Sequence, residues 1–226
     1  MNAKEAAGIK AAEYVEDGMV VGLGTGSTAE YAIRALGQRA EEGLRITAVS
    51  TSIASTQLAE SLGLRVVTLE EAPSVDLTID GADEVDPQLD LIKGLGGALL
   101  REKIVASATT RQIIIVDESK LVDQLGTKAP LPVEVIPFAW PVIFRAFADR
   151  GLQPVLRNDA NGVPFETDNG NVIIDCTFPS GIDDAAKTES WINALPGVVE
   201  NGLFIGLTHL VVVGHDDGSS RLLERG

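Results

Sequence analysis

The apolar run Met19–Gly22 passes without a polar spacer into Gly24-Thr25-Gly26-Ser27-Thr28, and a helical stretch continues through Ala40. Strand, glycine turn and helix in so few residues open a βαβ unit. The pattern repeats downstream. Arg45–Ser50, Arg65–Leu69, Asp76–Asp80 and Gln112–Asp117 read as short strands. Residues 3–16, Ile53–Leu62 and 98–108 read as helices, the first with Ala7, Ala11, Tyr14 and Val15 on one face. Alternation at this spacing requires crossover connections and so a mostly parallel sheet.

The texture changes after Lys128, where Pro130, Pro132, Pro137 and Pro141 crowd together and mark a boundary. Beyond it the order reads strand 132–136, helix 140–150, strands 153–157 and 171–178, helix 183–194 and strand 198–204. Two helices laid over a small antiparallel sheet satisfy that order. His209–Gly214 has the composition of a buried strand and is expected to return to the first sheet.

Charge narrows the function. The formal net charge is −15, which opposes nucleic acid and anionic membrane as partners, since both demand a basic footprint. An anionic substrate would then need locally concentrated positive charge. Lysines 4, 10, 93, 103, 120 and 128 all fall in the first 128 residues, and Lys187 alone lies beyond. Of these, Lys10, Lys103 and Lys128 read as solvated. The single cysteine, Cys176, excludes an internal disulfide and suits a reducing cytosol. No run approaches the roughly 18 apolar residues of a membrane span, so a cytoplasmic location is expected.

The glycine loop lies where α/β proteins bind ligands, beyond the carboxyl end of a strand. It is not a dinucleotide fingerprint, because the third glycine would fall on Ser27 and no acidic residue ends the second strand. It also lacks the Gly-Lys-Ser/Thr close of a P-loop. Bare amides at a helix N-terminus, with the hydroxyls of Thr25, Ser27 and Thr28, suit a phosphate or sugar oxygens. An ordinary turn with Ser27 as helix cap fits the same residues equally well.

Asp80-Gly81-Ala82-Asp83-Glu84-Val85-Asp86 follows the strand Leu77–Ile79. Carboxylates at the end of a buried strand are costly unless paired or used. Metal binding and simple capping are both open readings, although the spacing is not that of an EF-hand. Glu84 and Asp86 are expected to be solvated. Next, a strand ends on Lys93 and enters Gly94-Leu95-Gly96-Gly97, and a helix carrying Glu102 begins at Ala98. The Gly96 and Gly97 amides and the Lys93 ammonium supply positive charge. Glu102, taken singly, reads as a solvated helix residue. Taken with Lys93 and the amides, it is a base beside an enediolate site.

These segments resemble ribose-5-phosphate isomerases of the A type. The likeness runs over essentially the whole chain, through Gly24-Thr-Gly-Ser-Thr28, Asp80-Gly-Ala-Asp-Glu84, Lys93-Gly-x-Gly-Gly97 and Arg101-Glu-Lys103. It continues in Asp117-Glu-Ser-Lys120, Pro130-Leu-Pro-Val-Glu-Val-Ile136, Asp168-Asn-Gly-Asn171 and Pro196-Gly-Val198. The resemblance implies interconversion of D-ribose 5-phosphate and D-ribulose 5-phosphate in the non-oxidative pentose phosphate pathway. No cofactor is expected, and no metal, because Lys93 and the Gly96–Gly97 amides already supply positive charge where an enediolate would form. It implies Glu102 as the base between C1 and C2, Asp80 in proton movement or ring opening, and Lys93 as the enediolate's cation. Substrate contacts are implied at Thr25, Gly26, Ser27, Thr28, Gly81, Ala82, Asp83, Gly94, Leu95, Gly96 and Lys120, and at Lys4.

The implied fold is α/β: a doubly wound, mostly parallel, Rossmann-like sheet in residues 1–128 plus 205–226, and a smaller α+β domain in 129–204. A homodimer or homotetramer is implied as well. Leu95 departs from the family's usual unbroken glycine run, and is expected to keep ordinary dihedrals with its side chain turned from the substrate. Sugar-phosphate deaminases and lactonases share the loop architecture but lack the Asp80/Asp83 and Lys93/Glu102 segments. A deaminase also needs a catalytic His, whereas His209 and His215 lie in or just after the last buried strand. A sugar-phosphate sensor would need no base and would carry a basic DNA-binding segment, which this sequence lacks.

Overall fold

The computed structural model describes residues 1–225. In chain order the elements are α1 (Ala3–Ala12), β1 (Val20–Leu23), α2 (Ala29–Glu41), β2 (Thr47–Ser50), α3 (Ile53–Ser61), β3 (Arg65–Val66), β4 (Val75–Gly81), β5 (Glu84–Val85) and β6 (Leu91–Ile92). Then come α4 (Leu99–Ser107), β7 (Thr109–Asp117), β8 (Leu131–Val135), α5 (Trp140–Asp149), β9 (Gln153–Leu156) and β10 (Val172–Thr177). The chain closes with α6 (Ala185–Asn193), β11 (Val198–Asn201), β12 (Leu203–Phe204), β13 (Leu210–Gly214) and β14 (Ser220–Glu224). A 3-10 turn, Glu118–Lys120, follows β7.

Two compact units emerge. The first comprises Met1–Ala82, Arg101–Leu121 and Gly206–Gly226, and the second Asp83–Leu100 and Val122–Ile205. In the first, seven strands form a sheet in the order β14-β13-β7-β4-β1-β2-β3. All neighbours are parallel except the edge strand β14. The expected return of residues 209–214 is β13, whose Leu210–Gly214 pairs in parallel with Ile113–Asp117 of β7. From β1 the chain winds outward through β2 and β3, and from β4 it winds the other way through β7 and β13. The strand order therefore reverses between β1 and β4. Crevices at such reversals, outside the carboxyl ends of the strands, are where open α/β sheets bind ligands.

Alternation along the strands explains the layers. Val21, Leu23, Leu77, Ile79, Ile113, Ile115, Leu210 and Val212 pack with Ala7, Ala11 and Val15 and with Ile33 and Leu36 of α2. Ala48 joins this cluster, while its strand neighbour Val49 faces the other way and packs with Val75 and with Val105 of α4. The first helix is capped by Asn2, whose side chain accepts the Glu5 N–H at 2.9 Å. It ends at Ala12, short of the expected residue 16, because Tyr14 and Val15 turn back onto Ala11 and Ala12 carbonyls. Val15 remains buried all the same.

The second unit is antiparallel: a four-stranded sheet ordered β11-β8-β10-β9 and a three-stranded one ordered β12-β6-β5. Helices α5 and α6 bring Ile143, Phe147 and Ile192 onto Val133, Val135, Ile174 and Cys176, the two-helix layer expected from sequence. Burial pushes the Cys176 thiol up to about 12, which suits an inert core side chain. Residues 198–204, expected as one strand, form two. At Gly202 the chain leaves β8 for β6, its N–H donating to the Pro132 carbonyl and its own carbonyl accepting the Lys93 N–H at 2.9 Å. The stretch Asp83–Leu100, read from sequence as part of residues 1–128, clusters with the second unit because Leu91 and Ile92 pair with Leu203 and Phe204.

Two local expectations need correction. Glu84 is fully buried, not solvated, and its carboxylate accepts the N–H groups of Gly126, Lys128 and Ala129 at 2.6 Å each. A buried carboxylate is tolerable when backbone donors surround it. Asp86 is half-buried and accepts the N–H groups of Gln88 and Asp90, closing the turn between β5 and β6. Among the described residues no helix is long and apolar enough to cross a membrane.

Candidate active site

The glycine loop sits at the carboxyl end of β1, and Asp80 near the carboxyl end of β4, on the two sides of the strand-order reversal. They are joined directly. Asp80 is fully buried, and its Oδ1 accepts the Thr25 N–H at 3.1 Å and the Gly81 N–H at 2.7 Å. A Cβ on Gly24 would lie 2.1 Å from that same oxygen and 2.5 Å from the Asp80 Cα. Only glycine at 24 lets the loop close over the carboxylate.

The three loop hydroxyls have different surroundings. That of Thr25 is turned into the protein, 2.7 Å from Thr51 Oγ1 and 2.8 Å from Ser52 Oγ, while Ser55 Oγ donates to the Gly24 carbonyl. These hydroxyls stand some thirty residues from the loop they brace, so neighbours in sequence give no sign of the contact. Ser27 is not the cap of α2. Thr28 occupies that position, in helical conformation and with no side-chain cap bond, and Ser27 Oγ instead accepts from Lys4 Nζ at 2.8 Å. The exposed Gly26 has φ +101, and its carbonyl accepts the Glu30 N–H that starts the helix.

Lys4 and Ser27 line a cavity of about 770 Å³, together with Tyr31, Arg34, Asp117 and His215. Asp117 draws the lysines together. Burial raises its carboxyl, but the Ser119 hydroxyl and N–H donate to it and Lys120 and Lys4 lie close, so the net shift is downward. Lys120 is the last residue of the 3-10 turn that Asp117 caps. Lys4, Ser27 and Lys120 are thus brought to one neighbourhood at the carboxyl ends of β1 and β7. That is anion-binding equipment in a chain of net charge −15.

Glu102 lies in the first turn of α4 and is 5% exposed, so the solvated reading of it fails. In the second unit, Lys93 follows β6 and is 2% exposed, its Nζ 5.4 Å from the centre of the Phe204 ring. Gly94 and Gly97 take φ +107 and +84, and the Gly97 N–H closes the turn on the Gly94 carbonyl at 2.9 Å. Leu95 keeps a negative φ and is 41% exposed, as expected of an L side chain in this turn. Its N–H donates to Asp83 Oδ2 at 2.9 Å. Gly96 is exposed, and Ala82 and Asp83 are half-buried. Among the described residues no three His, Cys, Asp or Glu side chains are grouped to hold a metal ion.

The family model described as ribose 5-phosphate isomerase A (phosphoriboisomerase A) matches residues 47–218. The chain belongs to this family. It is 50% identical to the ribose-5-phosphate isomerase A of Thermomicrobium roseum over 99% of this chain and 94% of that one. It is 45% identical to that of Listeria innocua, with all of both chains covered. Among solved structures it superposes on the Methanocaldococcus jannaschii ribose 5-phosphate isomerase A with TM-score 0.92, at 46% identity over 98% of this chain and 97% of that one. A D-ribose-5-phosphate isomerase in complex with phospho-erythronic acid gives TM-score 0.96, at 43% identity and full coverage of both. The protein is an isomerase that interconverts ribose 5-phosphate and ribulose 5-phosphate.

Proposed function

We propose that the reaction runs through an enediolate made and quenched by Glu102, with Asp80, Asp83 and Lys93 as its partners. The observation that carries this reading is the burial of Asp80, Lys93 and Glu102, at 0%, 2% and 5% exposure. Buried ionisable side chains concentrate at functional sites, where their environment tunes them for proton transfer.

In the open-chain aldose, Glu102 takes the proton from C2. The electron pair moves into the C1–C2 bond and charge gathers on O1, where Lys93 and the Gly96 amide offset it. Asp80 relays a proton between O1 and O2, and protonated Glu102 returns its proton to C1 to give the ketose. Asp83 spends Oδ2 on the Leu95 amide, which leaves Oδ1 to accept a sugar hydroxyl. Lys4, Ser27, Thr28 and Lys120 hold the phosphate, and the Gly26 and Gly81–Ala82 backbone borders the substrate. Thr25 acts through its N–H on Asp80.

No step requires a metal, so turnover should survive exhaustive chelation. The setting we propose is the cytoplasmic pentose phosphate pathway, with the protein acting as a homo-oligomer, a dimer or a tetramer, and without nucleic acid. The deciding experiment is turnover of ribose 5-phosphate in heavy water with EDTA present. Exchange of the C2 hydrogen alongside isomerisation supports proton transfer by a carboxylate. Isomerisation without any exchange, with label passing intact from C2 to C1 under all conditions, would favour a hydride shift.

A further inference from the structure

The glycine turn after Lys93 is held from behind by a residue that none of the catalytic motifs contains. Arg157, just past β9, donates from Nη1 to the Gly94 carbonyl and to the Leu95 carbonyl, each at 3.1 Å. Its Nε and Nη2 meet the two oxygens of Asp175, the former at 2.8 Å, in a fork-to-fork ion pair. Both side chains are largely buried, at 13% and 20% exposure. The guanidinium also lies 5.7 Å from the centre of the Phe165 ring. That ring in turn fills the space beside Gly97, where a Cβ would come within 2.6 Å of it.

Strand register makes this arrangement possible. Asp175 pairs with Val155, and the Arg157 N–H donates to the Ile173 carbonyl. Residues 155, 157, 173 and 175 therefore share one face of the sheet, the face opposite Ile174 and Cys176, which meet the helices. A paired guanidinium in a rigid fork is well suited to hold two carbonyls at once.

Peptide planarity carries the consequence forward. In a trans peptide the C=O and the following N–H point in opposite directions, and no cis bond occurs here. With the Gly94 carbonyl on Arg157, the Leu95 N–H faces away, where it meets Asp83. With the Leu95 carbonyl also on Arg157, the N–H of exposed Gly96 must face away from the guanidinium too. We propose that Arg157, oriented by Asp175, is a positioning residue that fixes these two peptide planes so that the Gly96 amide faces the enediolate. The proposal rests on the reading of the Lys93–Gly97 turn as the enediolate site.

The test compares Arg157→Gln and Asp175→Asn with wild type, measuring kcat, KM and the affinities for phospho-erythronic acid and inorganic phosphate. Displacing a stabilising group by about an ångström costs on the order of 100-fold. The expected result is a kcat lowered about 30- to 100-fold in Arg157→Gln, with KM within about threefold of wild type. Phospho-erythronic acid, whose carboxylate offers two oxygens to the turn, should bind correspondingly more weakly, and inorganic phosphate unchanged. Added methylguanidinium should restore part of the activity of Arg157→Ala, which a loss of folded protein would not allow.

If Arg157→Gln does not fold, Asp175→Asn, which keeps the shape of the pair, gives the same readouts with a smaller loss of kcat. Unchanged kcat in a folded variant, or a raised KM with kcat intact, overturns the proposal. Lys93→Ala separates it from the underlying reading. Wild-type turnover in that variant removes the enediolate from the turn, whatever Arg157 does.

Discussion

Asp83 Oδ2 accepts the Leu95 N–H at 2.9 Å across twelve residues of chain, so one carboxylate oxygen shapes the turn after Lys93, and in the proposed mechanism the second accepts a sugar hydroxyl. Asp83→Asn can keep the first role through its amide oxygen but replaces the second acceptor with a donor. Loss of a charged hydrogen bond to a sugar hydroxyl amounts to about 1.5–3 kcal/mol. Steady-state kinetics should show kcat/KM reduced about 10- to 100-fold with the melting temperature little changed. Asp83→Ala should lose more, because the turn goes as well. Equal and near-wild-type kinetics for both would take Asp83 away from the substrate.

Glu102→Gln keeps the shape of a buried side chain but removes the basic oxygen. A positioned general base contributes about 10²–10⁴-fold, roughly 3–5 kcal/mol of barrier. The loss should fall on kcat with little change in KM. In heavy water, exchange at C2 should slow by the same factor. If exchange persists at the wild-type rate, Asp80 becomes the base.

Lys120 lies near Asp117 and Lys4 at the end of β7. In the proposed mechanism its charge binds ground state and transition state alike, and truncation removes it. Lys120→Ala should raise KM about tenfold or more and lower kcat much less. Lys4→Ala should act in the same direction and free the Ser27 hydroxyl. An unchanged KM in Lys120→Ala would place the phosphate elsewhere.

Gly24→Ala tests how tightly β1 and β4 are joined at the reversal. The added methyl would meet both the carboxylate and the Cα of Asp80, so side-chain rotation cannot relieve it. Overpacking of this kind costs about 1–3 kcal/mol, which at about 2–4 °C per kcal/mol lowers the melting temperature by about 2–12 °C. Activity should fall further than stability, because Asp80 must move. Calorimetry and kinetics on the same preparation check both, and a variant equal to wild type in both would show the strands part readily.

Local signals made much of this protein legible. Gly24–Thr28, Asp80–Asp83 and Lys93–Glu102 each pair a strand end with glycine or charge, and that juxtaposition can be read from neighbours in sequence. Glu84 shows the converse. It stands in an acidic run that looks solvated, while the amides that bury it come from residues 126–129. Arg157 and Asp175 gave no signal at all, since their meeting depends on the register of β9 and β10, and their link to Gly94 and Leu95 spans more than sixty residues. The two-residue β5 is too short for any periodicity. The edge strand β14, by contrast, follows a turn at Asp216–Gly218 that could have announced it.

The placement of β13 has a consequence for how the chain is made. Ile113–Asp117 can complete their sheet only with Leu210–Gly214, and the ribosome supplies those residues after the whole stretch between them. At about 5–20 residues per second, the apolar flank of β7 waits on the order of 5–20 s without its neighbour. During that interval it is an open strand edge, the kind of surface that recruits other chains. Expression of this protein should therefore be limited by what shelters β7 during synthesis, and a nascent chain stalled before Leu210 should be found with chaperones or in aggregates.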